Sequence, residues 1–498
     1  MTTLTLIWIV FPFLVGFTIY LLPRLDRVLA LTGAIFSTVY ASLLLIEQVP
    51  ITLKLLDNFG VTLLLDPLAG FFIFTNALVT AAVFFYCWRS DKTTFFYAQV
   101  LILHGSVNAA FICADFISLY VALEVISIAT FLLIAYPRTD RSIWVGLRYL
   151  FVSNVAMLFY LVGAVLVYKA HHSFEFTGLQ GAPPEAVALI FTGLLTKGGI
   201  FVSGLWLPLT HSESESPVSA LMSGVVVKAG IFPLARFALL IEEIDPIVRF
   251  FGVGTALLGV FYAVFEKDAK RMLALSTVSQ LGFILAAPEV AGFYALTHGL
   301  VKAALFLIVG KLPSRNLQEL RSQPMPTQFW IALVIASFSI SGFPLLSGFG
   351  AKVLTMKNLL PWQVIGMNIA ALGTSTFFAK LIFLPHGNQQ HKLFPTQPLP
   401  QEQNISTSSP LPPSSQFGFW AAMLLLLGGL FAANVVYYEA YTLENTLKPL
   451  GTIFLGWLIY FLIFRQLSVK LPRMFEQFEH LIGVMSLSLI ALFWMVLA

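Results

Sequence analysis

Sixteen runs of mostly apolar residues, each near the length that crosses a bilayer, leave this chain little choice of fold. About 20 such residues span the hydrocarbon core as a helix. Inside it every backbone N–H and C=O must be satisfied within the segment, so the runs are predicted to be helices. Hydropathy places them at 4–22, 28–47, 66–88, 94–112, 114–136, 143–168, 186–208, 218–240, 247–265, 273–288, 290–310, 327–356, 362–385, 417–437, 446–464 and 481–498. The fold class expected is all-α, a polytopic membrane helix bundle of about 14–16 transmembrane helices. Composition agrees: 10% of residues are charged, against about 25% in soluble domains. The first run has no basic segment before it and no small-residue cleavage site, so it is read as a retained span. The net charge of +4 resides in loops and forms no basic patch, which removes nucleic acid as a partner. Cys87 and Cys113 lack metal or redox spacing and are read as two buried free thiols.

Loops after odd-numbered spans carry most of the Lys and Arg, from Arg24 and Arg27, through Arg89, Lys92, Arg138, Arg141, Lys267, Lys270 and Arg271, to Lys311, Arg315, Arg321, Arg465, Lys470 and Arg473. Positive loops face the cytoplasm, so odd loops are expected inside and both termini outside. One composition break interrupts the chain: residues 386–416 are rich in Pro, Gln and Ser and are expected to be a disordered cytoplasmic loop. The glycosylation-like triplet beginning at Asn404 falls within it. It separates N-terminal helices (1–112) and two five-helix units (94–240, helices 4–8, and 247–385, helices 9–13) from C-terminal helices (417–498). The two units are expected to be inverted repeats containing broken helices. Residues 155–163 line up with 302–310, five spans on, and an odd offset inverts the second copy. The same offset pairs Lys197 with Lys352 and Lys228 with Lys380.

Ionisable groups stand inside several of these runs. Lys197 lies within Ala186 to Pro208, which Pro208 is expected to end. Lys228 lies within Val218 to Leu240. His298 and Lys302 lie within Val290 to Gly310, Lys352 follows a Gly/Pro break in Phe338 to Val353, and Glu124 lies within Asp115 to Tyr136. A lysine at the bilayer centre costs about 2.5–3.5 kcal/mol and marks function. Low dielectric disfavours charged forms and opposite charges favour them, so a Glu124/Lys197 pair is expected to act as a two-state electrostatic switch. His298 and Lys302 are four apart and share a helix face, a spacing suited to proton relay. Ser276, Thr277, Ser279 and Gln280 form a polar stripe on the preceding helix. The segment around Gly342, Pro344 and Gly348 is expected to unwind. His171, His172 and Glu175 in one loop, and His211, Glu213 and Glu215 in another expected to face outward, lack metal-site spacing. Glu213 and Glu215 are read as an acidic rim that draws cations to an external mouth.

These motifs together resemble the antiporter-like membrane subunits shared by respiratory complex I and Mrp-type multisubunit cation/proton antiporters, over roughly residues 60–385. Asp115 to Glu124 resembles D-x-F-x-x-Y-V-x-x-E. Lys197, Trp206, Leu207 and Pro208 match K-A-A-x-x-P-x-H-x-W-L-P, with Val202 and Gly204 where that pattern has proline and histidine. Asp268 to Gly282, residues 298–306 and Gly342 to Lys352 match three more family patterns. The lysine-bearing segment around Lys228, Ser219-Ala220-Leu221 and Lys352 look most like the D-type subunit of Mrp antiporters. The resemblance implies a proton-moving subunit. Glu124 and Lys197 would form the charge switch, Lys228, His298 and Lys302 the central relay, and Lys352 the exit-side group. Asp115 and Lys380 stand in a second tier. It also implies partner membrane subunits, a monovalent cation exchanged for H⁺, and residence in a plasma (inner) or thylakoid-type membrane. No P-loop, cysteine cluster or dinucleotide fingerprint is present, so no cofactor is expected. Two alternatives stay open: the pump arm of a redox-driven NAD(P)H dehydrogenase, and a non-conducting scaffold, which the mid-span charges disfavour.

Overall fold

The computed structural model describes residues 2–55, 61–387, 413–467, 469 and 471–497. All sixteen runs are helical in it. Fourteen are long and apolar enough to cross a membrane: spans 1 to 9 are Thr2–Leu21, Pro23–Glu47, Pro67–Cys87, Thr94–Ile112, Phe116–Ile134, Asp140–His171, Pro184–Glu213, Ser216–Leu240 and Asp245–Phe265. Span 11 is Pro288–Val309, span 13 Pro361–Ile382, span 14 Gln416–Val436, span 15 Leu443–Phe464 and span 16 Phe478–Leu497. Span 10, Ala269–Ala286, packs among them. Span 12 is two half-helices, Thr327–Ser341 and Ser347–Lys357. The chain is a multi-pass membrane protein. Most of residues 386–416, including Asn404, lies outside the described residues.

Burial orders the bundle. Spans 8 and 11 are buried throughout their most apolar windows, and every residue of span 10 is buried. Spans 15 and 16 bury little of themselves and form an outer layer. Span 15 packs on span 13, whereas span 16 crosses over to pack on span 7. Helices meet through small residues where lipid supplies no hydrophobic drive. A Cβ at Gly259 of span 9 would lie 2.3 Å from the Ser279 backbone nitrogen of span 10, so those two helices touch backbone to backbone.

One expectation changes and one small element is added. The bundle is all-α apart from a short antiparallel hairpin, Ile51–Lys54 paired with Thr62–Leu65, after span 2. Its four-residue strands lie outside the apolar runs, where hydropathy carries no signal. Pro208 does not end span 7. It stands at the start of a second half-helix, Leu207–Glu213, where its missing N–H costs nothing.

Loop contacts sort the two faces. Arg27 donates to the Ser90 carbonyl, Tyr136 pairs with Thr93, Arg315 with Asp268, Arg473 with Glu266, and Met325 N with the Pro385 carbonyl. All join loops after odd-numbered spans. The 211–215 segment belongs with them. Glu213 bonds Arg141 at 3.3 Å, Glu215 bonds Lys92 at 2.6 Å, and Lys270 donates to the Ser214 carbonyl at 2.7 Å. Its placement in an outer loop is therefore corrected. It follows an odd span, and its acids neutralise the basic loops, so they do not form a rim on the opposite mouth. His211 is buried and stacks on Phe306. On the other face Glu175 bonds Lys54 at 2.5 Å.

Candidate functional site

Span 7 breaks immediately after Lys197. Its first half-helix ends there, and Gly199 and Phe201 both adopt positive φ, at 72° and 52°. The proline of the related pattern is missing, yet the break forms. Gly199 takes the left-handed conformation without a Cβ penalty, Trp206 Nε1 donates to the Thr196 carbonyl at 2.9 Å, and Phe201 N donates to Thr255 Oγ1 at 3.0 Å. These bonds satisfy backbone that a straight helix would pair within itself.

Lys197 is buried, and its Nζ donates to the hydroxyls of Ser127 and Ser153, the latter at 2.7 Å. The two hydroxyls bond each other at 2.9 Å. A hydroxyl both donates and accepts, so this cradle suits an ammonium or an amine. Glu124, partly buried one turn before Ser127, makes no ion pair with Lys197 within 4.0 Å among the described residues. A static salt bridge between them is thereby absent. A void of about 10 Å³ adjoins Lys197, Tyr149, Ser153 and Trp206, the order of size that one water needs.

Span 8 is π-helical over Met222–Val226. The bulge frees carbonyls, and the fully buried Lys228 fills two of them, donating to Gly224 at 2.6 Å and Ser223 at 3.2 Å. Spans 7 and 8 touch at their irregularities: a Cβ on Gly230 would meet Gly198 N at 2.4 Å. Toward span 11, a Cβ on Gly299 would lie 3.1 Å from the Gly224 carbonyl and 3.6 Å from Lys228 Nζ. His298, next in sequence, is buried with neither ring nitrogen hydrogen-bonded to protein. Lys302, on the same helix face, is fully buried and donates to the Leu273 carbonyl of span 10 at 2.9 Å. The polar stripe of span 10 lies buried in this region. Thr277 bonds Ser223 at 2.7 Å, Gln280 accepts from Tyr294, and Ser276 and Ser279 have no protein partner.

The second break parallels the first: Gly342 and Leu345 take positive φ, at 87° and 80°. Lys352 follows it, buried, its Nζ without a hydrogen-bond partner and 5.4 Å from the Phe283 ring centre. Thr297, beside His298, donates to Ser347 at 3.3 Å and so ties span 11 to this half-helix.

The five-span pairing of lysines does not hold in position. Lys197 closes a first half-helix whereas Lys352 lies within a second one. Lys380 sits in the last turn of span 13 and donates to the carbonyls of Ala263, Val264 and Glu266, the last at 2.9 Å. It caps span 9. Asp115 is likewise committed to backbone, accepting from Thr62 N at 2.8 Å and Ser118 N at 2.7 Å. Sequence reasoning missed Ser127, Ser153 and the Asp66–Arg236 pair at 2.5 Å. Ser127 is three residues after Glu124, a spacing that signals a shared face. Ser153 carries no such mark.

Comparison with known proteins places this arrangement. A relative from Alkalihalophilus pseudofirmus, named as the D-type subunit of a Na(+)/H(+) antiporter, is 27% identical over 90% of this chain and 98% of its own. The N-type subunit of NADH-quinone oxidoreductase from Desulforudis audaxviator is 31% identical over 65% of this chain and 72% of its own. A chain in the structure of the Mrp complex from Dietzia sp. DQ12-45-1b superposes with a TM-score of 0.71 at 20% identity, covering 97% of this chain and all of that one. The family profile described as NADH:quinone oxidoreductase/Mrp antiporter, TM, matches residues 113–378, more than half of the chain and the stretch holding Glu124, Lys197, Lys228, His298, Lys302 and Lys352. The chain belongs to that family.

Proposed function

We propose that this chain is the proton-translocating subunit, of D type, in a multisubunit cation (Na⁺)/H⁺ antiporter, assembled with other membrane subunits in a plasma (inner) or thylakoid-type membrane with both termini outside. The observation that carries the reading is the buried row Lys197, Lys228, His298, Lys302 and Lys352, in which no member forms an ion pair among the described residues. Buried charges are normally paired, so lysines left with hydroxyls, carbonyls or nothing suit groups that change charge during a cycle. Buried polar atoms without protein partners are served by internal water, and Ser276, Ser279, Ser339 and Ser341 mark where water can join the row. Glu124 sits close enough to bias Lys197 without locking it. The units 94–240 and 247–385 supply one helix break each, and inverted repeats of this kind build transport paths at their interface.

A second reading, the proton-pumping membrane arm of an NAD(P)H:quinone dehydrogenase, is favoured by the Desulforudis relative. Affinity purification of the tagged chain from its native membrane distinguishes them: small antiporter subunits support the first, quinone-site and iron–sulfur subunits the second. In everted vesicles the assembled complex should acidify or alkalinise in response to added Na⁺ or K⁺. The chain alone should show little exchange, because it carries no energy-coupling motif. Robust cation-dependent exchange by the purified single chain would overturn the subunit reading.

A further inference from the structure

Lys352 borders a cavity of mixed apolar and charged lining that is completed by a helix outside the matched family segment. The cavity encloses about 290 Å³ and is lined by Lys352 and Lys357 of span 12, Asn368 of span 13, and Glu444, Asn445 and Lys448 of span 15. At about 30 Å³ per water it admits a short file of several. Lys352 is 7% exposed and its Nζ has no protein partner. Span 12 ends at Lys357 and span 15 begins at Leu443. Both ends lie on the face of the loops after even-numbered spans, so the cavity leads there. At its mouth Glu444, exposed in the first turn of span 15, bonds Lys448 at 2.6 Å.

The charges are unequal. Three ammonium groups, Lys352, Lys357 and Lys448, face a single carboxylate, and among the described residues no other titratable side chain lines the cavity. A metal cation entering it meets three like charges at short range. A proton moves by bond exchange along water and needs only an acceptor at the mouth. We infer that Glu444 and Lys448 of span 15 form the mouth of a proton-release route for Lys352 that excludes metal cations. This rests on the proton-translocating reading above, and adds the residue at which the proton leaves and the ion that does not use this route. In the step, an N–H bond of the Lys352 ammonium breaks and its proton joins the adjacent water. A proton at the far end of the file forms an O–H bond on the Glu444 carboxylate, which releases it to bulk water. Lys352 is left as an amine, Glu444 is again ionised, and no electron moves.

The test uses the assembled complex in vesicles. Glu444→Gln should lower proton exchange about tenfold, and Glu444→Asp should restore at least half. Independently of activity, Thr452→Cys, which also lines the cavity, reports its field against a background of two buried thiols, Cys87 and Cys113. An anionic methanethiosulfonate applied to the even-loop face should label it at least fivefold faster than a cationic one of equal size. Wild-type exchange rates in Glu444→Gln, or a loss that Glu444→Asp does not rescue, would overturn the relay. Equal labelling by the two reagents would overturn the exclusion of cations. A wild-type complex that exchanges no protons would instead remove the functional reading, and the labelling ratio would still report the cavity.

Discussion

At the scale of single residues, the proposed carrier role of Lys197 rests on what holds it. Its partners are two serine hydroxyls, so neither protonation state is fixed by a neighbour's charge. Guanidinium keeps its proton in proteins, whereas an amine can lose it. A carrier role therefore predicts that both Lys197→Ala and Lys197→Arg abolish exchange in vesicles, about 100-fold or more, while the complex still assembles on native gels. A structural role predicts that Arg works. Glu124→Gln should slow exchange without abolishing it, because in the proposed switch the carboxylate acts on Lys197 without an ion pair. Ser127→Ala combined with Ser153→Ala strips the cradle from a buried lysine and should be more damaging than either change alone, a non-additivity expected of groups in one network.

At the scale of elements, the helix breaks matter because they bring spans 7, 8, 11 and 12 together at irregular backbone. Gly199 adopts φ 72°, and an added Cβ would meet Leu207 Cδ1 at 2.4 Å. Left-handed backbone costs an L-residue about 1–2 kcal/mol, and here the Leu207 contact adds to it. Gly181 has nearly the same conformation, φ 73°, with nothing within 4 Å of a Cβ. Gly199→Ala should thus reduce exchange about tenfold or more, while Gly181→Ala, carrying only the backbone share, should leave it within about twofold. Equal behaviour of the two in vesicle assays would mean that the span 7 break does not position Lys197. The break also shows where pattern reading ran short. The sequence lacks the proline that usually signals such a kink, and the tertiary bonds from Trp206 and Thr255 hold the turn in its place.

At the scale of the whole molecule, the odd-loop face is knitted by a charge network reaching into the C-terminal segment. Arg271 bonds Glu266 at 3.1 Å and Glu476 at 2.5 Å, all three largely buried. Removing one partner of a buried pair costs about 3–5 kcal/mol. Arg271→Ala should therefore expose the segment after span 15 to protease and lower the thermal midpoint of the complex. Burial pushes the Glu266 carboxyl up, but Arg271 and the N–H groups of Asp268 and Lys267 outweigh it and hold it below its ordinary value. A depressed carboxylate stabilises fully above its unfolded value of about 4.3, and that contribution is lost as pH falls through the lower folded value. Protease sensitivity of this segment should rise in that acid window and not between pH 6 and 8. The same face carries His386, whose neighbour Pro385 is bonded to Met325. With odd loops inside, a cysteine placed in residues 388–412 should resist an impermeant thiol reagent outside intact cells. Rapid labelling there would reverse the orientation.

The sequence by itself determined the number and nearly all the borders of the membrane helices, because length and hydropathy are local properties that a bilayer reads directly. It also marked Lys197, Lys228, Lys302 and Lys352 as buried, because they stand in the middle of apolar spans, but not Lys270, which it placed in a loop and which packing buries. Tertiary structure alone decided what each of those charges touches. Lys197 and Lys228 find hydroxyls and bulge carbonyls, and Lys352 finds a cavity. Lys380, with the same residue type in an equally apolar setting, caps a neighbouring helix. Asp115 is spent on backbone N–H groups. Hydrogen-bond partners of an ionisable group come from helices scattered through the chain, so its role depends on packing that no local pattern encodes. For the same reason Glu213 and Glu215 moved to the opposite face from the one expected. Their partners, Arg141 and Lys92, are more than seventy residues away.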